Sequence, residues 1–186
     1  MINILKEYKS INIVLIGFMG SGKSTIARKL AEKLDIGYVD VDEYIVRKAK
    51  MTIPDIFSEY GEGKFREIES ECFGEILRNN EFNIIATGGG LPINARNQEL
   101  ITEKTTVIYL KSDMETIYNR TKNSNDRPLL NNSGSYSDFL DKNGELYEAR
   151  TGIYEELADY IVESNNNDVD EICERIIEWM KCYRLG

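Results

Sequence analysis

GFMGSGKST (residues 17–25) follows the apolar run INIVLI (residues 11–16) and leads straight into the helical pattern IARKLAEKL (residues 26–34). Gly17, Gly22, Lys23 and Ser24 satisfy G-x-x-x-x-G-K-[ST], and a strand before with a helix after is the context in which that pattern holds a phosphate. Glycines let the backbone curl so that successive N–H groups face phosphate oxygens. The helix N-terminus adds its dipole, a lysine reaches the outer phosphates, and a serine hydroxyl can ligate Mg²⁺. The stretch therefore reads as a nucleotide-phosphate cradle on a strand–loop–helix unit.

The rest of the chain extends that unit. Four more apolar runs read as strands: GYVDV (37–41), NIIAT (83–87), TVIYL (106–110) and YIV (160–162). Helical faces lie between them. Ile26, Ala27, Leu30, Ala31 and Leu34 form one, and Phe65, Ile68, Cys72, Phe73, Ile76 and Leu77 form another. A further helix is expected over residues 114–121, and a last one carries Val169, Ile172, Cys173, Ile176, Ile177 and Met180. Strands alternating with helices predict an α/β fold with a parallel sheet covered on both faces. Residues 120–144 break the rhythm. They are rich in Asn, Ser, Asp and Gly, and a polar loop of that length inside a domain reads as a lid.

Composition narrows the function. The chain of 186 residues suits one domain. A formal net charge of −9 excludes a general nucleic-acid or anionic-membrane binder, which needs a basic surface, so any anionic ligand must meet a local cluster of cations. Three cysteines without CxxC spacing, and no histidine, point to neither a zinc site nor a disulfide framework. No signal-peptide layout and no run of about 18 apolar residues is present, which predicts a soluble, cytoplasmic protein.

The phosphate loop alone does not separate a kinase from a switch or a motor. A guanine-specific NKxD is absent, and IIATGGG ends the third strand without a Walker B acid. Acids come instead in VDVDEY: Asp40 and Asp42 lie two apart, so an extended segment would send both carboxylates to one side at the carboxyl edge of the sheet. One could support a metal and the other meet a substrate hydroxyl. Arg66, with Glu62 and Glu69 at i−4 and i+3, is either a surface ion pair or a planar fork for a carboxylate, oriented by Glu69. Gly88, Gly89 and Gly90 follow a strand directly, as a flexible turn or as a place where a ligand approaches the backbone. Arg150, in ARTGIY just past the polar segment, is a solvent-facing cation or a second anion contact.

In this order, GFMGSGKST, DVD, GEGKFREIE, TGGG, RPLL and ARTGIYEELAD resemble the shikimate kinase family over about residues 12–183. The resemblance implies a P-loop fold of nucleoside-monophosphate-kinase type, with a five-stranded parallel sheet of order 2-3-1-4-5. It also implies a substrate-binding region over about residues 40–80 and a lid over about 120–144. The implied reaction is transfer of the γ-phosphoryl group of ATP to the 3-hydroxyl of shikimate, in the route to aromatic amino acids, by a monomer. Gly20, Ser21, Gly22, Lys23, Ser24 and Thr25 would hold ATP, joined by Arg127 of RPLL. Ser24 and Asp40 would hold Mg²⁺. Asp42 would meet the shikimate hydroxyls as base or orienting group, Arg66 and Arg150 would clamp its carboxylate, and Gly88, Gly89 and Gly90 would line it. Phe57 and Phe65 either wall that pocket or pack in the core. GIY (152–154) replaces the commoner PLY, and residues 165–167 are asparagines where some members have arginine, which leaves the adenine contacts unassigned.

Overall fold

Strand β1 (Asn12–Ile16) sits at the centre of the fold because it is apolar on both sides. Val14 and Ile16 enter one core cluster, Ile13 and Leu15 the other, as the alternation of side chains along a strand requires. The computed structural model describes residues 12–79, 83–122, 135–165 and 168–183. Around β1 lie β2 (Gly37–Asp40), β3 (Asn83–Ala86), β4 (Thr105–Lys111) and β5 (Tyr160–Glu163), in the order β2-β3-β1-β4-β5. Every pairing is parallel, with Ile13 opposite both Ile84 and Thr106. The implied sheet order is thus the observed one.

Helices α1 (Lys23–Leu34) and α7 (Val169–Tyr183) cover one face, burying Ile26, Leu30, Leu34, Ile172, Ile176 and Met180 against Leu15, Ile108 and Val162. The other face is covered by α2 (Val41–Ala49), α3 (Ile53–Arg78), α4 (Ala95–Lys104), α5 (Met114–Thr121) and α6 (Tyr136–Leu157), through residues such as Ile45, Phe73, Ile101, Ile117 and Tyr154. Gly61 interrupts α3. Its φ of 78° and ψ of 173° are not helical, and a side chain there would be strained, so the chain bends between a short helix and the longer one that carries Arg66.

Two expectations change. The second strand stops at Asp40, which is the N-cap of α2: its carboxylate accepts from the backbone N–H of Asp42 and Glu43. Asp40 and Asp42 therefore do not leave an extended segment on the same side; Asp42 stands on the first turn of a helix. Residues 120–144 are also not one polar loop. α5 runs to Thr121, and α6 begins at Tyr136 with a capping box between Ser135 and Asp138. Phe139 is buried on that helix. Residues 123–134, with Arg127, lie outside the described residues, as do Ile11 and residues 166–167.

Candidate active site

Helix α1 opens without a side-chain cap. Its N-cap is Gly22, at φ 94°, and its first turn holds no acid. By contrast α2 to α6 are capped by Asp40, Thr52, Asn94, Asp113 and Ser135. Uncapped N–H groups and the positive end of the dipole make an anion site of this terminus. Lys23 is nearly buried and folds back over the loop, its Nζ donating to the carbonyls of Gly17 at 2.9 Å and Phe18 at 2.8 Å. A buried ammonium held by carbonyls keeps its charge within the loop rather than in solvent. The Ser24 hydroxyl donates to Asp40 Oδ2 at 2.6 Å, so α1 and the end of β2 meet through one hard-oxygen pair. Beside it, Tyr38 Oη lies 3.4 Å from the same Oδ2. Burial, together with the Asp40 and Glu43 charges, pushes that phenol up to about 12.

One residue at this loop escaped sequence reading. Arg120, at the end of α5, donates to the Ser21 carbonyl at 3.2 Å, to Ser112 Oγ at 3.3 Å and to the Ser164 carbonyl. It ties the phosphate loop to the ends of β4 and β5. Burial draws its guanidinium below the ordinary value, with Asp113 opposing. Nothing in NRTK marks it beyond its place at the end of an expected helix.

The second half of the site forms around TGGG. Thr87 is fastened to β1, its Oγ1 donating to the Leu15 carbonyl at 3.0 Å, and the three glycines then run between side chains that come from distant elements. A Cβ placed on Gly88 would lie 3.0 Å from Asp42 Oδ1 and 3.2 Å from Glu69 Oε1. On Gly89 it would lie 3.3 Å from the Met19 nitrogen and 3.6 Å from Arg150 Nη1. On Gly90 it would lie 2.5 Å from Arg66 Nη1. These glycines therefore serve close approach rather than a flexible turn. They bring Asp42, Glu69, Arg66 and Arg150 to the carboxyl edge of the sheet, where open α/β folds bind ligands.

Arg66 pairs with both flanking acids. Glu62, exposed, accepts from Nη2 at 3.1 Å, while Glu69, 1% exposed, accepts from Nη1 at 2.9 Å. The Glu69 contact fixes the fork toward Gly90 rather than toward solvent. Burial pushes the Glu69 carboxyl up, and Arg66 counters it. Arg150, on α6, lies over the Phe18 ring at 5.9 Å, and Phe18 meets Tyr147 edge-on at 5.3 Å. Phe57 and Phe65 pack on one another at 4.5 Å, with Phe65 buried in the core and the Arg66 guanidinium 5.2 Å from its ring centre.

Of the residues singled out in the sequence, Gly20, Ser21, Gly22, Lys23, Ser24, Thr25 and Asp40 thus form one side. Asp42, Arg66, Gly88, Gly89, Gly90 and Arg150 form the other, and Gly89 touches both through Met19 and Gly17. In a chain of net charge −9, Lys23, Arg66, Arg120 and Arg150 supply the local cations that an anionic ligand requires. Among the described residues no cluster of three or more Cys, Asp or Glu could hold a metal, and no helix is long and apolar enough to cross a membrane.

Comparison with known proteins gives the family. The family profile described as Shikimate kinase matches residues 19–181. A shikimate kinase of Sulfurihydrogenibium sp. (strain YO3AOP1) is 39% identical over 170 residues, 91% of this chain and 98% of that protein. One from Dictyoglomus turgidum is 37% identical over 173 residues, 91% of this chain and 97% of its own. Among solved structures, the shikimate kinase from Acinetobacter baumannii in complex with shikimate superposes with a TM-score of 0.89 at 33% identity, covering 98% of this chain and 99% of that one. The phosphate loop, the glycine turn and the two arginines beside it are therefore held in a fold shared along nearly the full length of these relatives: the chain belongs to the shikimate kinase family.

Proposed function

We propose that the protein phosphorylates the 3-hydroxyl of shikimate with ATP, giving shikimate 3-phosphate and ADP. The observation that carries this reading is the pair of guanidinium groups beside the glycine turn, Arg66 at Gly90 and Arg150 at Gly89, next to the phosphate loop. Two planar donors facing one short backbone segment fit a carboxylate. The uncapped α1 terminus beside them fits a triphosphate.

Each residue then has a task. Backbone N–H groups of Gly20 to Thr25 cradle the ATP phosphates, and Lys23 neutralises charge on the transferring group. Ser24 and Asp40 offer one hydroxyl and one carboxylate, which suits Mg²⁺, an ion that keeps water and phosphate oxygens as its remaining ligands. When bound, Mg²⁺ neutralises the charge on the β- and γ-oxygens. Arg66 and Arg150 hold the shikimate carboxylate, the backbone of Gly88 to Gly90 lines the ring, and Asp42 accepts a hydrogen bond from the reacting hydroxyl. As that oxygen bonds to the γ-phosphorus and the bond to the β-phosphate oxygen breaks, the hydroxyl proton passes toward Asp42. Phosphoryl transfer asks chiefly for such alignment and charge stabilisation. Arg127 is assigned to the ATP phosphates from its place in RPLL alone. The working unit proposed is a monomer, since the phosphate loop, Asp42, Arg66 and Arg150 meet around Gly88 to Gly90 within a single fold. The ATP it consumes, and its buried thiols Cys72 and Cys173, support the cytoplasm as its place.

Arg66→Lys tests the assignment, because an ammonium cannot reproduce a two-pronged fork. By titration calorimetry, shikimate affinity should fall about tenfold or more with ATP affinity nearly unchanged. Equal loss of both, or of neither, would refute the carboxylate clamp.

A further inference from the structure

Tyr154 lies on α6, one helical turn beyond Arg150, and is fully buried. Its ring packs 5.3 Å from that of Tyr109, a setting in which phenylalanine would fill the space. The hydroxyl is nevertheless there: it donates to the Gly89 carbonyl at 2.6 Å, 65 residues away in sequence, at the same glycine whose Cβ position lies 3.6 Å from Arg150 Nη1. A guanidinium only donates, so with its proton committed to Gly89 the phenol can serve Arg150 only as an acceptor. The same Cβ position lies 3.3 Å from the Met19 nitrogen and 3.5 Å from the Gly17 oxygen, so Gly89 also neighbours the phosphate loop. One buried hydroxyl thus holds the middle of the glycine turn, where the second arginine of the proposed clamp and the phosphate loop come together.

We propose that Tyr154 is a positioning residue for acceptor binding: its hydroxyl fixes Arg150 and the Gly89 backbone in a single arrangement that receives the acceptor's carboxylate within reach of the phosphate loop. This rests on the assignment of Arg150 to that carboxylate. Burial, opposed by Arg150, pushes the phenol up to about 12, so it remains a donor across the working pH range. A buried hydroxyl without partners is unfavourable, whereas one that satisfies a carbonyl and orients a cation is retained. A tyrosine therefore stands where the ring alone could be any large apolar group.

The test is Tyr154→Phe, which deletes one oxygen and keeps the ring, measured by steady-state kinetics with both substrates varied. The expected result is a rise in shikimate KM of about tenfold, with ATP KM changed less than about twofold and the unfolding midpoint within a few degrees. Two further readouts separate positioning from simple stability. In an Arg150→Ala background, Tyr154→Phe should add less than about threefold, since the hydroxyl acts through a group already removed. With shikimate carboxamide as acceptor, the penalty on kcat/KM should shrink to less than about threefold. If the phenylalanine variant does not fold, p-fluorophenylalanine at position 154, which fills the volume without a proton to donate, is measured with the same expectations. An unchanged shikimate KM, or a full penalty in the Arg150→Ala background, overturns the proposal. Should Arg150→Ala itself leave shikimate KM unchanged, the assignment of the clamp fails instead.

Discussion

Replacing Gly90 by alanine should separate substrate binding from folding more cleanly than any change to a charged residue. The backbone at Gly90, φ −88° and ψ −16°, lies in the right-handed helical region open to alanine, and the substitution removes freedom from the unfolded chain, a gain of about 0.4–1 kcal/mol. The new Cβ, however, would lie 2.5, 2.7 and 2.8 Å from Nη1, Nη2 and Cζ of Arg66. Ordinary contact begins near 3.4 Å, so the guanidinium must withdraw. It is the far end of a flexible side chain, 27% exposed, and it moves more easily than the backbone. Withdrawal strains the 2.9 Å contact to buried Glu69 and misplaces the fork. A hydrogen bond to a charged group contributes about 1.5–3 kcal/mol. Losing the lower part of that range from acceptor binding raises shikimate KM about ten- to thirtyfold. The weakened ion pair and the backbone gain largely offset in stability, leaving the unfolding midpoint within about 4 °C. Coupled ADP-release kinetics with each substrate varied, alongside thermal unfolding, measures both. Unchanged shikimate KM in a folded Gly90→Ala protein, or an equal rise in ATP KM, would refute the reasoning.

Lys23→Met removes the charge that folds over the phosphate loop at Gly17 and Phe18. Turnover should fall about 10²- to 10³-fold while circular dichroism at the assay temperature shows a folded protein; retained activity would contradict the cradle. Glu69→Gln carries a pH signature. Because burial raises the Glu69 pKa above its ordinary 4.5, the folded state holds that proton more tightly than the unfolded chain. The group's contribution to stability is full below 4.5 and is lost as pH rises through the folded value. Denaturant unfolding from about pH 4 to pH 8 should therefore show the variant gaining on the wild type as pH rises. A constant difference, or the opposite slope, would show that Glu69 is not raised.

What the sequence displayed is what short spacing can encode. The phosphate loop, the strand before it and the apolar face after it are contiguous, and all three stand as read. The faces of α1 and α7, with Ile26, Leu30, Ile172 and Ile176, were legible for the same reason. The sheet order came from the family resemblance, since periodicity says nothing about which strands are neighbours.

The spacing of Asp40 and Asp42 suggests an extended segment although the signal for a helix is present. An aspartate followed three residues later by Glu43 is an N-cap pattern, and two backbone N–H groups outweigh the alternation expected of a strand. The α6 start was hidden by its polar composition. Ser135 and Asp138 cap it, and Tyr136, Phe139 and Leu140 give it an inner face, yet asparagines and serines around them read as loop. Arg66 against Gly90, Arg120 on Ser21 and Tyr154 on Gly89 join residues up to 99 positions apart. Contacts of that kind follow from the packing of α3, α5 and α6 on the sheet and leave no local trace.

The central claim is that the two arginines and the phosphate loop serve one reaction, and an acceptor panel tests it directly. Purified protein with ATP and Mg²⁺ is offered shikimate, gluconate, AMP, CMP or UMP, and ADP release is followed. The account predicts turnover that depends on shikimate and stays at background with the other four. Turnover driven by gluconate or a nucleotide, or nucleotide binding with no shikimate-dependent release of ADP, would contradict it.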